Sequence, residues 1–348
     1  MRSTMPSQHR IIESTELLND DGELVEPGYA TEQLWRYERC KIKASWLRIK
    51  EWDYYYILNE QYGITFTVSD LGYAGLIAVV WLDFEKETYT QEDVLTLVPK
   101  GRMNFPSTSR EGDVVYQDKK LKIEYHVGPG TRTIRVDFPE FTNSLGERGL
   151  SGELTLQQPD MDTMVIATPW KGKPKKFYYN QKINCMPAEG TIQIGDTEYE
   201  FSPNTSFGGL DWGRGNWTYK NRWYWGSASG LLNGEPFGWN IGYGFSDRSS
   251  ATENMVFYRG KAHKLDQVTF QMDTKDYMRP WKFTSNDGRF EMDFEPIIDR
   301  YGKFNLLLLK SVQHQVFGWF TGKVVLDDGT ELPVGHFLGF AEDVYNRL

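Results

Sequence analysis

An all-β fold of antiparallel barrels is what this sequence predicts, and three observations predict it. Aromatic residues make up 15% of the chain, with 12 Trp, 20 Tyr and 20 Phe, and aromatic and β-branched side chains favour strands because they fit a pleated, half-buried surface. Apolar and polar residues alternate with period two in segment after segment, as a strand with one wet face requires. Segments with a helical period are few. The 348 residues exceed one ordinary domain, so two barrels in tandem are expected, with one large β domain as the alternative.

Residues 1–35 read as an irregular lead-in, with turn signals at Asp20-Asp21-Gly22 and Pro27-Gly28, where glycine supplies the positive φ that turns need. Trp46, Trp52, Tyr54–Tyr56 and Trp81 are aromatic strand positions, while Gln91–Leu97 is ambiguous between helix and strand. Leu121, Ile123, Tyr125 and Val127 alternate with polar residues, Gly128-Pro129-Gly130 turns, and Ile134, Val136 and Phe138 continue the pattern; the two segments predict a hairpin or close neighbours in a meander. Gly195-Asp196 predicts a hairpin turn between Thr191–Ile194 and Thr197–Phe201, and Asp327-Asp328-Gly329 another between Val324–Leu326 and Leu332–Val334. Val268/Phe270/Met272 and Phe290/Met292/Phe294 add further alternating segments, and Ala341–Leu348 reads as a short terminal helix. Pro203-Asn204-Thr205 interrupts the strands, so the domain boundary is placed near residue 205. No short fixed repeat is present, which argues against propellers and solenoids.

The chain carries 39 basic and 48 acidic residues, a net charge of −9. The basic residues are scattered among acids, so nucleic acid is not an expected partner. Cys40 and Cys185 form neither a disulfide framework nor a zinc signature. No signal-peptide core and no run of roughly 18 apolar residues is found, so a cytoplasmic protein is expected. The oligomeric state is left open.

The most unusual stretch is Phe207–Gly230, which sets Asp211, Arg214 and Arg222 among Trp212, Trp217, Tyr219, Trp223, Tyr224, Trp225 and several glycines. Read as a loop, it predicts an apolar pocket with a few polar groups, the usual design of a small-molecule site. Core packing of Trp223 and Trp225, which share one strand face, and a loop-fixing Asp211–Arg214 ion pair are the structural alternatives. Next, Phe237, Trp239, Ile241, Tyr243 and Phe245 alternate with Gly238, Asn240, Gly242 and Gly244. The bare face admits a ligand or another backbone, with Asn240 as its amide. Glu253, before a strand at Asn254–Tyr258, is a second carboxylate able to share acid and base roles with Asp211, or else a solvated strand end. Of the five histidines no pair has metal-ligand spacing; His314 and His336 are in reach of a second-barrel cavity. No phosphate-binding loop, dinucleotide fingerprint or serine elbow occurs, and neither a metal nor a cofactor is expected.

Asp211-Trp212-Gly213-Arg214-Gly215, the Trp-rich strand after it, Thr252-Glu253-Asn254, Glu16–Gly28 with Leu17-Leu18, and Lys50-Glu51-Trp52-Asp53-Tyr54-Tyr55 together resemble the uncharacterised bacterial domain-of-unknown-function family 2804. More remotely, Gly190–Phe201 followed by Asp211-Trp212-Gly213 is similar to the carotenoid 1,2-hydratase group, whose pattern is Asp-x-x-Trp-Gly; here Asp211 directly abuts Trp212. This resemblance implies two lipocalin-like antiparallel β-barrels in tandem, which the break near residue 205 places at 36–205 and 206–348. It also implies an apolar, isoprenoid- or acyl-like ligand and proton-driven addition or cyclisation at an alkene. The functional expectation is a cofactor-independent hydratase, isomerase or lyase with Asp211 as acid, Glu253 as base and Arg214 orienting substrate. Trp212, Trp217, Tyr219, Trp223, Trp225, Trp239, Asn240 and His314 are the expected binding residues. The alternative is a non-catalytic binding protein for a lipid-like or other apolar metabolite.

Overall fold

The computed structural model describes residues 8–306 and 309–347. Among these the chain forms two large antiparallel sheets, of 13 and nine strands, with only two 3-10 turns as helix. The sheets curl into two lipocalin-like barrels in tandem, so the period-two alternation is met by strands almost throughout. The hairpins expected at Gly195-Asp196 and Asp327-Asp328-Gly329 form, with Ile194 opposite Thr197 and Val324 opposite Leu332. Ile123 faces Val136 and Tyr125 faces Ile134 across the predicted meander.

The first sheet runs from Thr88–Leu97 through Ala74–Asp83, Tyr62–Asp70, Ile49–Leu58, Phe207–Asn216 and the long Lys173–Ile194 strand, and ends at Val114–Gln117. Phe207–Asn216, assigned by sequence to the second barrel, is thus hydrogen-bonded between Ile49–Leu58 and Lys173–Ile194. The change of sheet falls at residues 217–219, between Phe207–Asn216 and Lys220–Leu232. In the second sheet Lys220–Leu232 lies beside Glu331–Arg347, which lies beside Leu309–Val325. The terminal segment read as a helix is therefore a strand, and Leu348 lies outside the described residues. A helix of eight residues is marginal alone, whereas this segment is paired along both of its edges. Gln91–Leu97 is likewise strand.

Of the lead-in, residues 1–7 lie outside the described residues. The rest is tied down: Gly28–Ala30 pairs with Met164–Trp170, and Leu17, Leu18 and Trp35 are buried in the first barrel's core. The second core gathers Phe237, Trp239, Phe283, Phe290 and Phe320. Two further apolar clusters bridge the sheets, one joining Tyr54, Tyr56 and Leu82 to Trp225, Phe317 and Phe340, the other joining Met164, Ile166 and Tyr178 to Met255 and Phe257. The bare face of Glu235–Tyr243 belongs to this junction: a Cβ on Gly238 would lie 2.8 Å from Cys185 Sγ of the first sheet. Gly238 there admits another strand, as one of the two sequence readings has it. No helix among the described residues is long and apolar enough to cross a membrane.

Candidate functional site

Strand alternation sorts the Asp211 motif before any contact is considered, because successive side chains leave a strand on opposite faces. Asp211 faces the junction between the sheets, and Trp212 and Arg214 face the first barrel's interior. Trp212 belongs to that barrel's core. The Arg214 guanidinium, fully buried, lies 4.0 Å over the Trp212 ring and donates to Asp53 at 2.9 Å and to the Trp52 carbonyl at 2.9 Å. Gly213 shares the face of Asp211, and a Cβ there would lie 2.0 Å from the Trp52 ring. The glycine that looks like a turn signal is instead room for an indole, which forms one wall of a chamber of about 240 Å³ between the barrels.

Two rows of side chains, each running straight across neighbouring strands, face one another there. In the first sheet Lys182, Asp211 and Tyr54 are direct cross-strand partners. Lys182 Nζ lies 2.7 Å from Asp211 Oδ2, and Asn180 Nδ2 donates to Asp211 Oδ1 at 2.6 Å. In the second sheet Trp225, Glu342, Gln315 and Arg300 follow one another across four strands. Gln315 donates to Glu342 Oε1 at 2.7 Å, and Trp223 Nε1 donates to Glu342 Oε2 at 3.3 Å. The rows touch three times: Lys182 Nζ sits 3.8 Å over the Trp225 ring, a cation–π contact, the Tyr54 and Trp225 rings meet edge to face at 5.9 Å, and Gln315 donates to the Tyr54 hydroxyl at 3.0 Å.

Glu253 enters from a third direction. Thr252 and Asn254 on either side of it both donate to the Asp266 carbonyl, which leaves the Glu253 side chain to the chamber. Its backbone carbonyl accepts from Asn240, whose Oδ1 accepts from Trp225 Nε1 at 2.7 Å. Asn240 thus fixes two chamber residues from behind. Burial raises the Glu253 carboxyl above its ordinary value, and the Tyr178 hydroxyl that bonds to it is pushed well up by its own burial. Burial lifts Glu342 to about 7. Lys50, at the chamber's edge, is lowered by burial to about 7 and donates to the Leu47 and Leu71 carbonyls.

Among the residues expected from sequence, Asp211, Glu253, Trp217, Trp223 and Trp225 meet at the chamber. Trp212 and Arg214 do not, for the reason of parity given above. Trp239 packs in the second barrel's core against Phe290 and Phe320. Tyr219 lies outside the chamber lining, with the Arg48 guanidinium 5.2 Å from its ring. His314 leaves its strand on the face opposite Gln313 and Gln315, bonds to Asp299 at 2.8 Å and stacks on Tyr277 at 3.8 Å. Phe245, expected on the bulky face of its strand, reaches the chamber because Gly244, at φ 123°, redirects the chain. Sequence reasoning misses Lys182, Glu342, Arg300 and Tyr178. Glu342-Asp343 inside the apolar run Phe340–Val344 is a signal for one of them. Among the described residues no group of three His, Cys, Asp or Glu side chains is placed to share a metal ion.

Gly242 keeps the Glu253 side chain in place. A Cβ there would stand 2.5 Å from Glu253 Oε1 and 2.9 Å from the Tyr224 carbonyl. Gly242→Ala is expected to cost about 1–3 kcal/mol by overpacking, and the loss should shrink in a Glu253→Ala background. A double-mutant cycle by urea unfolding measures it; additivity within about 0.5 kcal/mol would mean that the carboxylate does not occupy this place.

The family described as "Domain of unknown function (DUF2804)" matches residues 8–348. No curated protein matches the sequence. Among solved structures, CghA aligns with a TM-score of 0.58 at 12% identity, over 97% of each chain. An AttH-type protein of Nitrosomonas europaea aligns with a TM-score of 0.53 at 13% identity, over 85% of this chain and 92% of that one. Kievitone hydratase of Nectria haematococca aligns with a TM-score of 0.51 at 14% identity, over 85% of this chain and 88% of that one. At such identities the likeness is one of fold.

Proposed function

The chain belongs to the DUF2804 family, and from the chamber between its barrels we propose that it is a cofactor-independent acid–base catalyst, a hydratase, lyase or isomerase of a compact apolar or amphipathic molecule. The observation that carries this reading is the facing pair of rows: a carboxyl raised to about 7 stands across an aromatic chamber from a carboxylate held by an ammonium. Two acids in unlike environments can divide proton donation and acceptance between them.

The roles follow from the contacts. Asp211, paired with the Lys182 ammonium at 2.7 Å, takes the role of acceptor. Glu342 keeps its proton to near neutrality and is the donor. In a hydration, the Glu342 proton goes to one alkene carbon, the π pair becomes the new C–H bond, and the other carbon becomes cationic. Trp52, Trp217 and Trp223 offer their faces to that cation. Water adds to it and passes a proton to Asp211 or Glu253; in an isomerisation the same base takes a proton from the neighbouring carbon instead. The name of one fold neighbour, a hydratase, agrees with this reaction class. An isoprenoid or acyl substrate would have to be short, or extend past the half-buried rim at Thr218, Gln313 and Asn346. Cys40 and Cys185 are free thiols, which agrees with a reducing compartment, and we place the activity in the cytoplasm.

The test is to isolate the protein from its own host, identify co-purifying small molecules by native mass spectrometry, and incubate them with fresh enzyme in D₂O. A product carrying one carbon-bound deuterium, absent with Glu342→Gln, is expected. Recovery of the ligand without isotope would favour the non-catalytic carrier.

A further inference from the structure

Arg300 is a buried cation whose hydrogen bonds are to neutral groups. It stands at the end of the second row and lines the chamber. Its side chain donates from Nε to Gln91 Oε1 at 3.0 Å and from Nη1 to Gln315 Oε1 at 2.5 Å. The Gln315 amide is oriented by its other end, since Nε2 donates to Glu342 and its oxygen is thereby turned to Arg300. Among the described residues no carboxylate lies within ion-pair distance of this guanidinium, and its two hydrogen bonds run from Nε and Nη1. Arg214 makes the contrast: also buried, it is paired with Asp53. Buried charges are ordinarily paired, so a guanidinium beside a cavity that reaches its neighbouring carboxyl, Glu342, only through Gln315 is suited to a ligand's anion. The buried indole N–H of Trp217, another chamber residue, also lacks an acceptor among the described residues.

Charge and size narrow the ligand. Asp211 and Glu253 share the chamber, so a dianion such as a phosphate monoester would meet more repulsion than a single carboxylate. A planar carboxylate also matches the two-nitrogen edge of a guanidinium. The chamber's 240 Å³ exceeds by about half the roughly 150 Å³ of a cavity that takes one benzene. That is room for one or two rings with a short arm. Arg300 and Glu342 are two strands apart, about 10 Å at the backbone, a span on the scale of such a molecule.

Resting on the reading of the chamber as a substrate site, we propose that its ligand is a small planar monocarboxylate, an aromatic or conjugated acid of one or two rings. Its carboxylate sits on the Nη1–Nη2 edge of Arg300 and its rings sit among Trp52, Tyr178 and Trp217. The conjugated bond of such an acid lies between the anchoring cation and the proton donor, so Arg300 sets which carbon is protonated.

Calorimetric titration with trans-cinnamate, 2-naphthoate, their neutral amides and palmitate tests this. Wild type is expected to bind the ring acids at least about tenfold more tightly than their amides. Arg300→Gln should lose that preference while binding the amides within about twofold of wild type, which also shows that the variant is folded; Arg300→Lys should keep part of it. Equal binding of acids and amides by wild type, or equal weakening of both in Arg300→Gln, would overturn the carboxylate assignment and leave the chamber reading standing. Tightest binding of palmitate would overturn the size assignment. Failure of every ring acid and amide to bind would remove both the inference and the chamber reading.

Discussion

Arg214→Ala is expected to cost about 3–5 kcal/mol of folding stability, the range found when one partner of a buried ion pair is removed. The guanidinium is fully buried; besides Asp53 it serves the Trp52, Gly213 and Pro106 carbonyls. Without it Asp53, whose carboxyl burial already raises, loses its ion-pair partner in the first barrel. Glu51 fares better, because Arg39 and Tyr37 still bond to it at 2.7 and 2.8 Å. The loss should be partly recovered in Arg214→Met with Asp53→Leu, where no lone charge stays behind. Guanidinium chloride unfolding measures both. An Arg214→Ala protein of unchanged stability that no longer binds ligand would put Arg214 back in a binding site.

Glu342→Gln should lower kcat by about 10²–10⁴-fold, the usual contribution of a positioned proton donor, with fold and ligand binding retained. The donor must be protonated, so wild-type activity should fall as pH rises through about 7, and this limb should vanish in the variant. Stability carries the same signature. Glu342 holds its proton to about 7 in the folded chain against 4.5 ordinarily, so between those values the native state binds the extra proton and stability falls with rising pH. The contribution is fully present below 4.5 and lost as pH rises through 7, in all about 3 kcal/mol at 1.36 kcal/mol per unit. Unfolding of wild type and Glu342→Gln at pH 4.5 and 8 reads it as a difference between the two. A difference that does not change with pH would mean that Glu342 is ionised in the fold, and would take the proton donor out of the mechanism.

In the Asp211 motif two local signals conflict, and the weaker one is the more conspicuous. Gly208, Gly209, Gly213 and Gly215 suggest a loop, whereas parity puts residues 211 and 214 on opposite faces of a strand. The segment is a central strand, and several of these glycines are spaces for neighbours: a Cβ on Gly209 would lie 2.6 Å from the Tyr56 ring, and one on Gly213 would strike Trp52. Glycine inside a strand pattern marks close approach as well as turns. Where alternation is followed, as for Trp223 and Trp225, sequence and structure agree.

Alternation and turn chemistry act over a few residues, so the all-β class, the hairpins at Gly195-Asp196 and Asp327-Asp328-Gly329, and the side chains that share a face are all legible in the chain alone. Which faces meet is a tertiary matter. Lys182 and Tyr54 flank Asp211 across ladders on its two sides, Tyr54 from a strand much earlier in the chain, and Glu342 lies between Trp225 and Gln315 in the other sheet. That register is set by packing both barrels at once, and a local pattern carries no record of it. The same holds for burial, which lifts Glu342 toward neutrality: an acidic pair in an apolar run shows only that it is unusual, and the water Glu342 loses is removed by a second sheet.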